Sequence, residues 1–395
     1  METEKNVPQK HAKLTRRSAL KTLLGSAAAN LVAPSLRCLP PAAPQAENQP
    51  TPAEREAMAR VADDFMRQFN VPALSIAIAE HGRLAYESAF GFANREARQR
   101  ATTSHLFRIA SVTKPITSTA IFTLIEHGKL SQQDRVFGPG AILATTYGHA
   151  PYKKWVEDIT IDHLLTHTCG GWDNSNDDPM FQNPQMNHAE LISWTLDTKP
   201  LKHPPGTHYA YSNFGYCVLG RVLEHLSSRP YADFVHEAIF YRCGIRDMRI
   251  AGNTLAQRFP NEVVYYGQGG EDPYNMNVTR MDSHGGWLAS PRELVLFLNH
   301  LFESTPNLVK PESIKAMTTP SSATLTYARG WAVNEVPNWW HNGSLPGSAT
   351  IMVRTHSGFC WAALANTRTT AGPDIGRALD NLVWDMVRKV SGWRA

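Results

Sequence analysis

The order of two hydrophobic periodicities along the chain constrains its fold more than any other feature. Apolar residues alternate with small or polar ones over 74–80 and 84–92, and His81-Gly82 lies between them, which predicts a β-hairpin. Strand-like segments return near the carboxyl end, at 331–336, 339–342, 349–354 and 359–366. The pattern between these regions is mostly helical, with long loops. The sequence therefore predicts an α/β fold, in which an antiparallel sheet built from both ends of the chain carries an inserted, mostly helical region.

Amphipathic helices are predicted beside this sheet. Thr51 and Pro52 are typical of a helix start, and an apolar stripe follows at Met58, Val61, Phe65 and Phe69. Ser290 and Glu293 form a capping box that predicts a helix through Leu301. A last stripe consists of Ile375, Leu379, Leu382, Val383, Met386 and Val390. We expect the two terminal helices to flank the sheet.

Ser111 lies where a strand-like segment gives way to a helical one. Free backbone N–H groups at a helix start favour negative charge. Lys114 follows three residues later and shares the same helix face, so its amine can reach the serine oxygen. The pair is a candidate nucleophile and base. The alternative is an ordinary helix start with a solvated lysine, since Ser18-Ala19-Leu20-Lys21 has the same pattern.

Two further motifs follow Ser111 and Lys114 in order, Tyr211-Ser212-Asn213 and His341-Asn342-Gly343. Together the three motifs resemble those of the serine β-lactamase and penicillin-binding protein superfamily, and most closely its class C-like branch. That branch also contains D-Ala-D-Ala peptidases, D-aminopeptidases and carboxylesterases. The resemblance runs from about Pro72 to Met386 and includes segments without a catalytic role, such as 161–168.

The resemblance implies a role for each residue of the first two motifs. Ser111 would attack an acyl carbonyl and form an acyl-enzyme, and Lys114 would take the serine proton when it is neutral. Tyr211 would carry that proton to the leaving group and later help to activate water. Asn213 would hold either the lysine or a substrate amide oxygen.

The third motif is expected at His341 and Gly343, with the backbone N–H groups of Ser344 and Ser111 forming an oxyanion hole. His-x-Gly also occurs at His284 and at His356, but 341–343 ends a strand-like aromatic segment as the family's inner strand does. Histidine is mostly neutral at neutral pH, whereas the lysine of many relatives is a permanent cation for a substrate carboxylate. This difference weakens the case for an efficient β-lactamase.

The predicted function is therefore that of a serine hydrolase acting on a small-molecule ester, amide or peptide. Carboxylesterase-like and D-Ala-D-Ala peptidase-like activities rank close together, and β-lactam hydrolysis ranks third. The alternatives are a penicillin-binding or sensor protein that is acylated with negligible turnover, and a degenerate homologue retained for interaction. No metal or organic cofactor is expected. His163 and His167 are spaced i, i+4 but lack the glutamate of a zinc protease, so we interpret them as structural.

Aromatic and sulfur side chains outside the motifs leave two questions open. Trp172, Trp339 and Trp340 could line an acyl pocket or pack in the core. The five cysteines, Cys38, Cys169, Cys217, Cys243 and Cys360, show no paired spacing, so buried free thiols are the expectation. If Cys38 is removed with an amino-terminal signal, four of them remain in the mature chain.

The amino terminus accounts for the net charge of +4. Residues 1–50 contain seven Lys/Arg and three Asp/Glu, and the remaining chain contains 32 of each sign, so no basic surface suggests nucleic acid or anionic lipid. Arg16-Arg17 resembles a twin-arginine export signal, and the apolar run 23–33 is too short for stable membrane insertion. A disordered basic tail is the alternative.

This composition predicts the division of the chain. We interpret residues 1–50 as an export signal with a Pro/Ala linker, which implies a periplasmic or extracellular protein. Residues 51–395 are interpreted as one hydrolase domain. Its α/β part is expected over 51–108 and 285–395, and its helical part over 109–284.

Overall fold

Ten β-strands form two antiparallel sheets in the computed structural model, which describes residues 49–175, 177–304 and 306–393. In chain order the strands are β1 Ala73–Glu80, β2 Arg83–Asn94, β3 Gln99–Arg100, β4 Phe107–Arg108, β5 Arg249–Ile250, β6 Trp287–Ala289, β7 Ala332–Val333, β8 Trp339–Leu345, β9 Ser348–Arg354 and β10 Phe359–Ala365. The larger sheet has the order β3-β2-β1-β10-β9-β8-β7, and the smaller one the order β4-β6-β5. The predicted sheet, built from both ends of the chain, is confirmed.

Nine α-helices are found in the described residues. They are α1 Pro52–Phe69, α2 Thr113–Glu126, α3 Ile161–Leu165, α4 His188–Thr198, α5 Asn213–Ser227, α6 Tyr231–Val235, α7 Pro291–Leu298, α8 Pro311–Thr318 and α9 Ile375–Val387. Thr51 caps α1 with its side chain and Ser290 caps α7 in the same way, each within a capping box. The predicted helix starts are thus confirmed. In each case the capping side chain that the sequence indicates accepts a hydrogen bond from a free N–H group in the first turn of the helix.

The side chains of β1 explain how the larger sheet separates two cores. Leu74, Ile76 and Ile78 point to one face, where they join the buried stripes of α1 and α9. Ala77 and Ala79 point to the other face and belong to the larger core. Since successive strand residues alternate between faces, large side chains meet the terminal helices and small ones let α7 approach closely.

Three predicted elements differ from the observed ones in extent. The expected strand 331–336 is reduced to β7, because Asn334 accepts a hydrogen bond from the backbone N–H of Asn338 and turns the chain away from the sheet. The α-helical part of α7 ends at Leu298, before the predicted Leu301, and a wider helical turn follows it over Asn299–Glu303. The helix expected around 161–167 is the single turn α3, which ends where His167 adopts a left-handed backbone conformation.

Residues 49–393 bear on two other expectations. Four of the five cysteines lie there, and all four are buried and unpaired, which confirms that expectation for them. In the described segments no helix is long and apolar enough to cross a membrane. The export signal and Cys38 lie outside the described residues, and the division of the domain at 108/109 and 284/285 stays a prediction.

Asn366 joins the sheet to the segment that contains Val264, and its loss should destabilise the fold. Its buried side chain accepts a hydrogen bond from the Ala73 N–H at 2.7 Å and donates one to the Val264 carbonyl at 2.8 Å. Asn366→Ala leaves both backbone groups unpaired, so we expect the free energy of unfolding in urea to fall by about 3 kcal/mol. The exposed Asn275 provides a control. An Asn366→Ala loss no larger than that of Asn275→Ala would contradict this role.

Candidate active site

Ser111 lies in the short turn between β4 and α2. The turn is a single 3-10 helix, Ala110–Val112, and it leads directly into α2. Ala110 has a φ of +48°, in the left-handed region that residues with a β-carbon seldom adopt. Such a conformation costs on the order of 1–3 kcal/mol and persists where the surroundings hold it in place.

Strands β8 and β9 hold this strained turn from below. The Ser348 hydroxyl donates to the Arg108 carbonyl at 2.6 Å, and the Thr350 hydroxyl donates to the Ile109 carbonyl at 2.8 Å. Gly343 lets β8 approach equally closely, because a β-carbon there would lie 2.2 Å from the Ile109 oxygen. The larger sheet is therefore the platform that fixes the backbone of the serine.

Lys114 is buried directly behind the serine. Its Nζ lies 3.0 Å from Ser111 Oγ and donates to Asn213 Oδ1 at 2.8 Å and to the His284 carbonyl at 3.1 Å. Both of these oxygens can only accept, so they use two N–H bonds of the amine. In the neutral amine the remaining lone pair faces the serine hydroxyl, which is the arrangement that proton removal requires.

The surroundings of Lys114 favour its neutral form. Burial holds the pKa of Lys114 well below its usual range, and the Asp178 carboxylate opposes this shift in part. The adjacent imidazoles add no charge. Burial, with the lysine as a second cause, lowers the pKa of His341 to about 3 and the pKa values of His167 and His284 well below 6.5.

Tyr211 lies beside the amine, with its ring centroid 4.7 Å from Lys114 Nζ. Burial raises the pKa of Tyr211 above its usual value, and contact with the Ser111 side chain lowers it by less. The His167 ring packs 4.2 Å from the Tyr211 ring, and its Nδ1 accepts the Ser212 N–H at 3.0 Å. His167 therefore fixes the loop that carries the second motif. His163 Nδ1 accepts the backbone N–H of Thr160 at 3.2 Å, so both histidines have the structural role that was expected.

His341 completes one side of the site. Its Nδ1 donates to the Asn342 carbonyl at 2.7 Å, which leaves Nε2 to accept from the Tyr327 hydroxyl at 3.0 Å. Its ring centroid lies 6.2 Å from that of Tyr211. The imidazole is therefore neutral, with both nitrogens in use.

The two other His-x-Gly sequences differ in location. His356 lies in the turn between β9 and β10, as the sequence indicated. His284 reaches the site as well, because its carbonyl accepts from Lys114 and the residue lines the same cleft as Ser111.

A cleft of about 410 Å³ opens in front of the serine. It is lined by Ser111, Asn213, Phe181, Met281, Ser344 and Arg368, among others. Arg368 Nε lies 3.1 and 3.0 Å from the two carboxylate oxygens of Glu271, and Arg368 Nη1 donates to Ser344 Oγ at 3.2 Å. The guanidinium at this rim is therefore already paired with a carboxylate.

The three tryptophans considered for an acyl pocket pack elsewhere. Trp172 is buried against Phe214 and donates its indole N–H to the Lys199 carbonyl. Trp339 packs on Phe302, and Trp340 is half-buried and packs against the core beneath the terminal helices. Core packing is therefore their role.

Sequence reasoning missed the residues that hold Asn213. Its Nδ2 donates to Asp178 Oδ2 at 2.8 Å and to Asn174 Oδ1 at 3.1 Å. With Oδ1 on Lys114, every polar atom of this amide has a partner, which favours the lysine over a substrate amide oxygen as the group that Asn213 would hold. The one available signal was the Asn- and Asp-rich loop 170–187, where Asp178 precedes Pro179 as a cap does. It does not reveal which residue the loop contacts.

Comparison with known proteins identifies the family. The family model "Beta-lactamase" matches residues 58–382, so the chain belongs to the β-lactamase family, a family of serine hydrolases. Penicillin-binding protein 4* of Bacillus subtilis (strain 168) is 26% identical over 317 residues, which cover 73% of this chain and 65% of the relative. Esterase EstB of Burkholderia gladioli is 28% identical over 238 residues, 55% of either chain. The chain thus spans less than two thirds of the length of these two relatives.

Solved structures share the fold. A D-amino acid amidase from Ochrobactrum anthropi SV3, complexed with L-phenylalanine amide, superposes with a TM-score of 0.72 at 21% identity, covering 87% of this chain and 100% of the amidase. The octameric penicillin-binding protein homologue from Pyrococcus abyssi gives a TM-score of 0.69 at 22% identity, with coverages of 84% and 77%. The resemblance and the fold class expected from the sequence are therefore confirmed.

Gly343 should tolerate no side chain, since strand β8 passes so close to the serine turn. In Gly343→Ala the new methyl group meets the Ile109 oxygen and the Thr350 hydroxyl, each at 2.2 Å. We expect the free energy of unfolding to fall by about 3 kcal/mol, measured by urea denaturation. Gly285→Ala is the matched control, because its nearest atoms lie at 3.8 Å. Equal stability of the two variants would contradict the close approach of β8.

Proposed function

We propose that the protein is a serine hydrolase that cleaves a small ester or amide through a Ser111 acyl-enzyme. The observation that carries the proposal is the buried Lys114 amine, 3.0 Å from Ser111 Oγ, in surroundings that disfavour its charge. A serine hydroxyl is a weak nucleophile until a neighbouring base takes its proton, and a neutral amine at this distance can do so.

The proposed reaction has two stages, acylation and deacylation. In acylation the Ser111 proton passes to Lys114 while Oγ attacks the substrate carbonyl, and the backbone N–H groups of Ser111 and Ser344 stabilise the oxyanion. Lys114 then returns the proton through Tyr211 to the departing alcohol or amine, as the bond to that group breaks. In deacylation Tyr211 and Lys114 take a proton from the water that attacks the acyl carbonyl, and they return it to Ser111 Oγ as the bond between Oγ and the acyl group breaks. Neutral His341 supports Tyr211 from the other side of the site.

The charges around the cleft favour an uncharged ester. His341 is neutral at physiological pH because its pKa is lowered to about 3. Arg368 is the single cationic side chain among the described residues that line the cleft, and Glu271 already neutralises it. A substrate carboxylate would thus find no unpaired positive charge, whereas a neutral acyl group loses little on entering. The similarity to Esterase EstB agrees with this choice.

A D-Ala-D-Ala peptidase is the second candidate, because Arg368 still has free N–H groups at the rim. It could bind a terminal carboxylate while it shares its charge with Glu271. A putative D-alanyl-D-alanine carboxypeptidase of Escherichia coli (strain K12) is 25% identical over 310 residues, covering 67% of this chain and 68% of the relative. β-Lactam hydrolysis ranks third, and an acylated sensor with negligible turnover is the non-enzymatic alternative.

Export from the cytoplasm is part of the proposal. It is supported by Arg16-Arg17 and by the short apolar run 23–33 that follows them. The resulting location would be periplasmic or extracellular, where esters and peptides from outside the cell are accessible.

Covalent labelling tests the assigned roles without a known substrate. A fluorophosphonate probe should label Ser111, identified by peptide mapping, and Ser111→Ala should abolish labelling. Lys114→Ala should slow labelling about 10³-fold, because the proton then has no acceptor. The exposed Lys129 lies just beyond α2, and Lys129→Ala is the matched control. Unlabelled wild-type protein, beside a labelled control hydrolase, would contradict the proposal.

Turnover assays separate the substrate classes. We expect kcat/KM to be highest for a neutral p-nitrophenyl ester, lower for a D-Ala-D-Ala peptide and lowest for a chromogenic cephalosporin. The physical reason is the absence of an unpaired cation among the described cleft residues. A peptide turned over faster than the ester would favour the peptidase. Stoichiometric acylation without turnover of any of the three would favour the sensor.

A further inference from the structure

A buried carboxylate lies behind the lysine, one amide away from it. Asp178 is 1% exposed, and its Oδ1 accepts the Met180 N–H at 2.9 Å. Its Oδ2 accepts from Asn213 Nδ2 at 2.8 Å, and Asn213 Oδ1 in turn accepts from Lys114 Nζ at 2.8 Å. Carboxylate, amide, amine and serine hydroxyl therefore form one continuous hydrogen-bonded chain.

The direction of this chain is fixed by chemistry. An ionised carboxylate can only accept hydrogen bonds, so it requires the NH₂ end of the Asn213 amide. Asn174 Oδ1, 3.1 Å from the same nitrogen, imposes the same orientation. The amide oxygen must then face Lys114, which directs one N–H of the lysine away from the serine. The opposite amide orientation would bring two acceptors together at Asp178 and two donors together at Lys114.

We propose that Asp178 is a positioning residue, whose carboxylate acts through the Asn213 amide to orient the Lys114 amine toward Ser111 and to control the pH range in which that amine acts as a base. This inference rests on the proposed function, since it concerns the same proton transfer. Asp178 does not itself line the cleft, and it acts on the site through Asn213, which does.

The sign of the effect follows from the charges around the two groups. Asp178 favours the protonated amine and therefore opposes the burial that lowers the pKa of Lys114. Other groups around the lysine carry no charge at neutral pH; they are His167, His284, His341 and the rings of Tyr211 and Tyr216. Asp173, on the same loop, is the other carboxylate that acts on Asp178. Removing the Asp178 charge should thus make Lys114 neutral at lower pH.

The Asp178 carboxylate also changes its charge close to neutral pH. Burial raises the pKa of Asp178 to about 6, and the hydrogen bond from Asn213 opposes this shift. Near that pH the charge that holds the lysine proton disappears, so the two titrations are coupled. The acidic limb of activity therefore belongs to the pair and not to Lys114 alone.

The test follows fluorophosphonate labelling of Ser111 in the full chain as a function of pH. In wild type the labelling rate should rise with pH as the Lys114–Asp178 pair loses its proton. Asp178→Asn keeps an acceptor for the amide but removes the charge, so the midpoint should move to lower pH by about one unit. Asp177→Asn is the matched control, because it removes an exposed carboxylate from the same loop, one that pairs with Lys199 instead. Its midpoint should stay near that of wild type.

A second variant keeps the inference testable if Asp178→Asn does not fold. Asp178→Glu retains the charge but displaces the carboxylate, so we expect a wild-type midpoint with a lower maximal labelling rate. An Asp178→Asn midpoint equal to that of wild type, or an Asp178→Glu variant with an unchanged maximal rate, would overturn the positioning role. Wild-type protein without labelling would overturn the proposed function itself, and this inference with it.

Discussion

The burial of one amine, that of Lys114, is the constraint on which the rest of the site depends. A buried ammonium is costly unless it is paired, so a lysine in such a place either finds a counter-charge or loses its proton. Here the nitrogen has three polar neighbours from separate parts of the chain, namely Ser111, Asn213 and the His284 carbonyl. Satisfying this nitrogen therefore requires the turn before α2, the start of α5 and the segment before β6 to converge.

The larger sheet supplies the rigidity that this convergence needs. Hydroxyl groups from β9 bind the carbonyls of the two residues that precede the strained Ala110, and Gly343 lets β8 press against them. The sheet thus fixes the turn that carries Ser111, and Lys114 lies on α2. The polar loop around Asp178 supplies the electrostatic adjustment. In the proposed mechanism the sheet therefore supports the nucleophile rigidly, and a separate group, Asp178, adjusts the pKa of the base.

Elements with strong local signals could be predicted from the sequence. The first helix and the β-hairpin after it were expected because capping residues and period-two alternation are local properties. The three motifs led to the correct family because each is a short run of residues and their order along the chain can be read directly. His341 was expected to be mostly neutral from its residue type. Its pKa is lowered further, to about 3, by burial beside Lys114, and no local sequence pattern shows that burial.

Long-range polar contacts could not be predicted. Asp178 lies in a loop 35 residues before Asn213, which begins α5, and Arg368 and Glu271 lie 97 apart in loops without periodicity. Whether Trp172 lines a pocket or the core likewise depends on where Phe214 packs.

Direct titration of Lys114 tests the central claim, using ¹³C-lysine NMR with Lys114→Arg to assign the resonance. The account predicts that the amine loses its proton well below the ordinary lysine pKa of about 10.4, and an ammonium that persists up to that pKa would contradict it.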